Sequence, residues 1–209
     1  MKKIIFSLII TFTLLILSNV ESNGQCASGY SSKTITLTLG NCDYVIDVCY
    51  KCEVTNPGSV YIRQITEVDS SCNNALPIDQ IIAQAYAEIS TGAFIYSNLC
   101  IDSWYDAPPC NGGTAYKEFE IIFNYCWQIR LRDNGYQHVF EFIPCEDNAT
   151  CIETLRYCFA NPGYTKLTSS YSSAQSPPCE LQLNEITLPT ISNPLSECFI
   201  LNSVPCGIE

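Results

Sequence analysis

Histidine is almost missing from this chain: His138 is the only one in 209 residues. That excludes mixed Cys/His zinc patterns, which take two histidines or a tight Cys/His cluster. Basic residues are scarce too, with 10 Lys and Arg against 21 Asp and Glu and a formal net charge of −11. Nucleic acids and anionic membrane surfaces both require a basic footprint, so this acidic chain is not expected to bind either. What the negative sign supplies is solubility. No G-x-S-x-G nucleophile elbow and no Asp-x-Asp-x-Asn-Gly calcium loop occurs. No second long apolar run follows Leu17, so no membrane contact is expected once the N-terminal segment is removed.

That segment reads as a secretory signal. Lys2 and Lys3 precede an apolar run from Ile4 to Leu17, and small polar residues follow. The run is shorter than the roughly 20 residues a spanning helix needs. Ser22-Asn23-Gly24 sets small residues at both positions a signal peptidase reads, so residues 1–24 are expected to be removed and Gln25 to start the mature chain. Gln25 is too large for the position before a lipidated cysteine, which argues against an anchor on Cys26. The short leader is of bacterial type and predicts a secreted or periplasmic protein. Losing two lysines and one glutamate takes the net charge from −11 to −12.

Cysteine is abundant where histidine is not. All 14 lie after the predicted cut: Cys26, Cys42, Cys49, Cys52, Cys72, Cys100, Cys110, Cys126, Cys145, Cys151, Cys158, Cys179, Cys198 and Cys206. An even number behind a leader predicts a structural disulfide framework, here of up to seven bridges. A four-cysteine zinc site needs paired close spacings, and Cys49-Cys52 is the only C-x2-C present. No metal and no cofactor is expected.

The stretch Lys33 to Cys52 reads as a β-hairpin around Gly40-Asn41. A two-residue loop pairs Leu39 with Cys42, Leu37 with Tyr44, Ile35 with Ile46 and Lys33 with Val48, which leaves one apolar face and one face of Thr and Asp. A slip of one residue would mix the faces, so the pattern selects this register. Val60 to Val68 is a third strand whose register two alignments fit equally. Pro77 to Ser90 is the convincing helix, with Ile78, Ile81, Ile82, Ala85 and Ile89 in one apolar stripe. Ala93 to Leu99 reads as a strand, and residues 101–113 as a loop or linker between two units, 25–100 and 114–209, which could equally be one domain.

In the second unit, Glu118 to Ile143 predicts a three-stranded meander. A loop at Asn124-Tyr125-Cys126 would set Glu120 opposite Arg130 and Glu118 opposite Arg132. A turn at Asn134-Gly135 would set Leu131 opposite His138, Ile129 opposite Phe140 and Trp127 opposite Phe142. Cys151–Cys158 and Tyr164–Tyr171 read as another hairpin around Asn161-Pro162-Gly163. From Ser172 an irregular tail is expected, stapled by Cys179, Cys198 and Cys206. The fold class is therefore β-rich, between all-β and α+β: antiparallel hairpins, a meander and one amphipathic helix, stapled by disulfides. The strand CDYVIDVCYKC from Cys42 to Cys52, with Pro57-Gly58 soon after and Cys-Phe-Ile-Leu at Cys198, resembles secreted cysteine-rich bacterial proteins of no assigned activity. The resemblance implies export and β-structure, and it brings no functional residues.

Four stretches or residue sets carry candidate chemistry. Cys49-Tyr50-Lys51-Cys52 has the spacing of a redox pair, but a turn follows where a thiol-activating helix should start, so structural cysteines are expected. His138, at the edge of an apolar face and far from any nucleophile motif, is expected to be a packed residue. Scattered carboxylates leave open a hydrolase that needs only two of them, so a carboxylate-dependent hydrolase is the third reading of the function. The loop Asp102, Trp104, Tyr105 and Asp106 sets two aromatics between acids, a pattern suited to stacking on a sugar ring or anchoring a partner. The first reading is a disulfide-rich structural or interaction protein of the bacterial cell exterior without catalysis. The second is a module that binds an extracellular glycan or a surface protein through the Trp104-Tyr105 loop.

Overall fold

The first hairpin has the register its side-chain pattern dictates. In a computed structural model that describes residues 25–53, 57–72, 76–101, 107–110, 115–145, 150–161, 163–173 and 179–202, β1 (Ser31–Leu39) and β2 (Cys42–Lys51) pair Leu39 with Cys42, Leu37 with Tyr44, Ile35 with Ile46 and Lys33 with Val48. Gly40 and Asn41 take φ of 60° and 76°. Two successive positive φ values define the mirror-image turn whose twist matches the strands. Cys42, Tyr44, Ile46 and Val48 are buried, while Asp43 is exposed and Thr34 and Thr38 donate to Asp47 and Asp43 on the outer face.

β3 (Gly58–Glu67) pairs with β2 in two registers joined by a bulge. Tyr44 faces Glu67 and Ile46 faces Ile65; a bulge between Asp47 and Val48 then shifts the pairing, so Val48 faces Ile62. The extra residue keeps Ile62 and Ile65, three apart, on one face. Arg63, at the bulge, reaches Asp47 at 2.7 Å.

The other edge of β3 forks. Its first half pairs in parallel with β4 (Lys117–Asn124), from Gly58 to Tyr61, and its last residues pair antiparallel with β6 (His138–Pro144), at Ile65 and Thr66. β4 continues to the hairpin of β7 (Thr150–Ala160) and β8 (Gly163–Ser173). β6 continues to β5 (Cys126–Asp133), then to the short β10 (Phe199–Ile200) and β9 (Leu181–Gln182). Ten strands thus make one mixed sheet, and strands of the 25–100 and 114–209 segments share it.

This corrects the expected meander. β4 and β5 are consecutive but unpaired, so Glu118 and Glu120 do not face Arg132 and Arg130. Glu118 instead faces Arg156 of β7 and pairs with it at 2.9 Å, and Arg130 faces Glu141 of β6. Tyr125, between the strands, is buried, and the chain turns a corner there. Asn124 stitches the fork: its Nδ2 donates to the Ile62 carbonyl at 3.3 Å, and its N–H donates to the Tyr86 hydroxyl at 3.2 Å. The β5–β6 hairpin forms, but two residues away from the expected register. Asp133 faces His138, Leu131 faces Phe140, Ile129 faces Phe142 and Trp127 faces Pro144. Asn134 explains the wider loop, because its Oδ1 accepts from the N–H groups of Tyr136 and Gln137 at 3.0 Å. A shift of two preserves side-chain parity, so of the four residues expected to be buried, Trp127, Ile129 and Phe142 are, while Phe140 is half-buried.

Helix α1 (Ile78–Ile89) covers the apolar face. Ile81, Ile82, Ala85, Tyr86 and Ile89 are buried, and the Tyr86 ring lies 4.5 Å from Phe123. The expected strand at Ala93–Leu99 is helical instead: α2 (Gly92–Phe94) runs into a π-turn, Ile95–Leu99. Thr91 caps it, its hydroxyl accepting from the Phe94 N–H at 3.1 Å. The buried residues Ile95, Tyr96 and Leu99 fall at helical spacing, and Tyr96 stacks on Tyr164 of β8 at 4.4 Å. Among the described residues 179–202 the tail is irregular apart from β9 and β10, and Leu195 bridges Arg130 of β5.

Candidate functional site

The cysteines of the C-x-x-C motif go to different elements. Cys49 bonds Cys26 in the N-terminal lead-in, and Cys52 bonds Cys100 after the π-turn. Cys42–Cys72, Cys110–Cys158, Cys126–Cys179 and Cys145–Cys198 complete six bridges. Cys151 is oxidised as well, and Cys206 lies outside the described residues. An extended backbone carries residues three apart by about 10 Å, beyond the roughly 7 Å Cα separation a disulfide tolerates. The motif is therefore a pair of anchors.

Asp102, Trp104, Tyr105 and Asp106 lie outside the described residues. Disulfides anchor the chain on both sides of them. Cys100 holds the upstream end to Cys52, and Cys110 holds the downstream end to Cys158 of β7. Between the bridges, the Phe159 N–H donates to the Pro108 carbonyl at 2.8 Å and the Cys110 N–H to the Phe159 carbonyl at 2.9 Å. Ala107 is buried and Ile101 is exposed. The ends of the loop are thus fixed by two covalent bonds and two backbone hydrogen bonds.

The described carboxylates are mostly engaged with partners. Glu141 is fully buried, with Arg130 Nε and Nη2 each 2.6 Å from its Oε2. Its Oε1 accepts from Arg132 Nη1 at 2.8 Å and from Gln64 Nε2 at 3.1 Å. Glu153, also buried, accepts from Lys166 Nζ at 2.9 Å and from the Tyr171 hydroxyl at 3.0 Å. Burial pushes the Glu67 carboxyl above its ordinary value; the Phe140 N–H, donating at 3.2 Å, opposes that rise and the charge of Asp69 adds to it. Asp69 moves the other way, because the Ser71 N–H and hydroxyl donate to it. Tyr44, directly opposite Glu67, is pushed up to about 12 by burial and then by the Glu67 charge. Burial, with Glu118 adjacent in charge, also raises Glu120.

His138 is exposed at the first position of β6, opposite Asp133, rather than packed. The two-residue register shift moved it off the apolar face's edge and to the loop. Among the described residues, no group of three or more His, Cys, Asp and Glu is placed to hold a metal ion. Sequence reasoning missed the Glu141 cluster, because Arg130 and Arg132 were assigned to glutamates of β4. It also missed Tyr86 and Asn124, whose roles depend on the fork. Compared with protein-family models, curated proteins and solved structures, the chain matches none.

Proposed function

We propose that the chain is an exported interaction protein of the cell exterior, without catalysis, whose leader is residues 1–24. Its mature part, 25–209, acts as one unit, since both halves contribute strands to one sheet. The observation that carries this reading is the bridge pattern: six disulfides join positions 23 to 53 residues apart and tie the loops to the sheet. Such a framework persists in an oxidising compartment and is rare in a reducing one. No described helix is long and apolar enough to cross a membrane. The pairing of Glu141 and Glu153 with Arg and Lys gives these carboxylates a structural role in place of acid–base work.

The contact surface in this reading is the Trp104-Tyr105 loop, and the partner is an extracellular glycan or a surface protein. The clamping of its two ends supports it, because a loop with fixed ends loses less freedom on binding. The test is a glycan array and a pull-down from surface extracts with mature protein, run beside Trp104→Ala and Tyr105→Ala. Binding lost in both variants supports the loop. Binding unaffected in either moves the interaction elsewhere. Hydrolysis of an array glycan would restore the hydrolase reading.

A further inference from the structure

The export reading has a chemical consequence at the N-terminus. Cleavage after Gly24 leaves Gln25 as the first residue. Gln25 is exposed, and the anchored fold begins directly after it. Cys26 is bonded to Cys49 with their Cα atoms 5.5 Å apart, and the Ala27 N–H donates to the Tyr61 hydroxyl at 3.0 Å. The Tyr61 ring is itself held edge-on against Tyr30 at 5.2 Å. One residue therefore projects from a covalently fixed start, with its side chain in solvent.

We infer that Gln25 is a modification site, closing to pyroglutamate once the leader is cut; this rests on the export reading. The free α-amine titrates near about 7.7–8.0, so part of it is neutral and nucleophilic at neutral pH. It attacks the Cδ of its own side-chain amide. A bond forms between the α-nitrogen and Cδ, and the bond from Cδ to Nε2 breaks. One α-amine proton passes to the departing nitrogen, which leaves as ammonia. Nothing is oxidised or reduced, and no co-reactant is needed. The five-membered lactam requires only rotation of an exposed side chain, which the fold permits at position 25. The product has no terminal positive charge and gives an aminopeptidase no amine to bind. The lactam and the Cys26–Cys49 bridge together close the N-terminus to trimming.

The experiment is peptide mass spectrometry of protein exported by a bacterial host, with Gln25→Ala beside it, followed by digestion with a broad aminopeptidase. The expected result is an N-terminal peptide that starts at residue 25, is lighter than its sequence by one ammonia and resists the enzyme, while the variant keeps its amine and loses its first residue. A peptide that starts at Gln25 with a free amine after prolonged storage at neutral pH overturns the modification and leaves the export reading intact. A peptide that starts at any other residue overturns the cleavage reading and this inference with it.

Discussion

Arg130 and Glu141 face each other across neighbouring strands, and the guanidinium reaches the fully buried carboxylate twice at 2.6 Å. Arg130 itself is 41% exposed, so the two partners are not equivalent. Removing the carboxylate lets two half-exposed arginines return to water. Removing the arginines strands a buried charge.

Glu141→Gln should therefore cost about 1–2 kcal/mol, the scale of exchanged hydrogen bonds. Arg130→Met combined with Arg132→Met should cost about 3–5 kcal/mol, the scale of an uncompensated buried charge. Urea midpoints of the two variants check this. Equal losses would show that water reaches Glu141.

Ile129→Asp should unfold the protein, because Ile129 is buried among Trp127 and Phe142 on the helix-covered side. Gln128→Asp, one residue away on the outer face, should change stability by less than about 0.5 kcal/mol. Similar losses in thermal melts would put the strand in the wrong period.

Much of the first hairpin was legible because each local signal agreed: Gly40-Asn41 admits both positive φ values, and only one register separates the apolar residues from Thr and Asp. The register of β3 was not legible, because two alignments fit its faces equally and the structure joins two registers through a bulge. The partner of β4 was not legible. Glu118 is satisfied equally well by Arg132 or Arg156, and charge complementarity cannot choose between strands far apart in sequence. Asn124-Tyr125-Cys126 has the composition of a loop, and only the fork at Ile62 makes it a corner. The helical turn at 92–99 read as a strand because Ile, Tyr and Phe favour strands, while the Thr91 cap and the Tyr164 contact override that preference. The aromatic loop at 102–106 was singled out by composition alone, and only its clamped ends add to that.

Gly40→Ala should destabilise the hairpin by about 1–3 kcal/mol. The residue holds φ at 60°, and a Cβ there would meet Leu76 Cγ at 2.3 Å. Gly135→Ala has a positive φ as well, 87°, but no atom lies within 4 Å. It should lose less. If the two variants melt together, the Leu76 contact contributes nothing.

Glu67 gives a pH dependence of defined sign. Its folded-state pKa is raised by burial, so the native protein binds that proton more tightly than the unfolded chain does. Wild-type stability should then fall relative to Glu67→Gln as pH rises from the ordinary glutamate range through the raised value, and the gap should level off above it. Solvent screening of this half-exposed group keeps the gap below about 1 kcal/mol. A gap that widens as the pH drops would reverse the assignment.

The disulfide network ties the loops to the sheet, and a peptide map of the unreduced protein reads its pairing. Cleavage at Lys51 separates Cys49 from Cys52. One fragment should link Cys26 to Cys49 and another should link Cys52 to Cys100. A Cys49–Cys52 link would contradict it, because no extended strand could then run from Cys42 to Lys51 and the motif would regain the geometry of a redox pair.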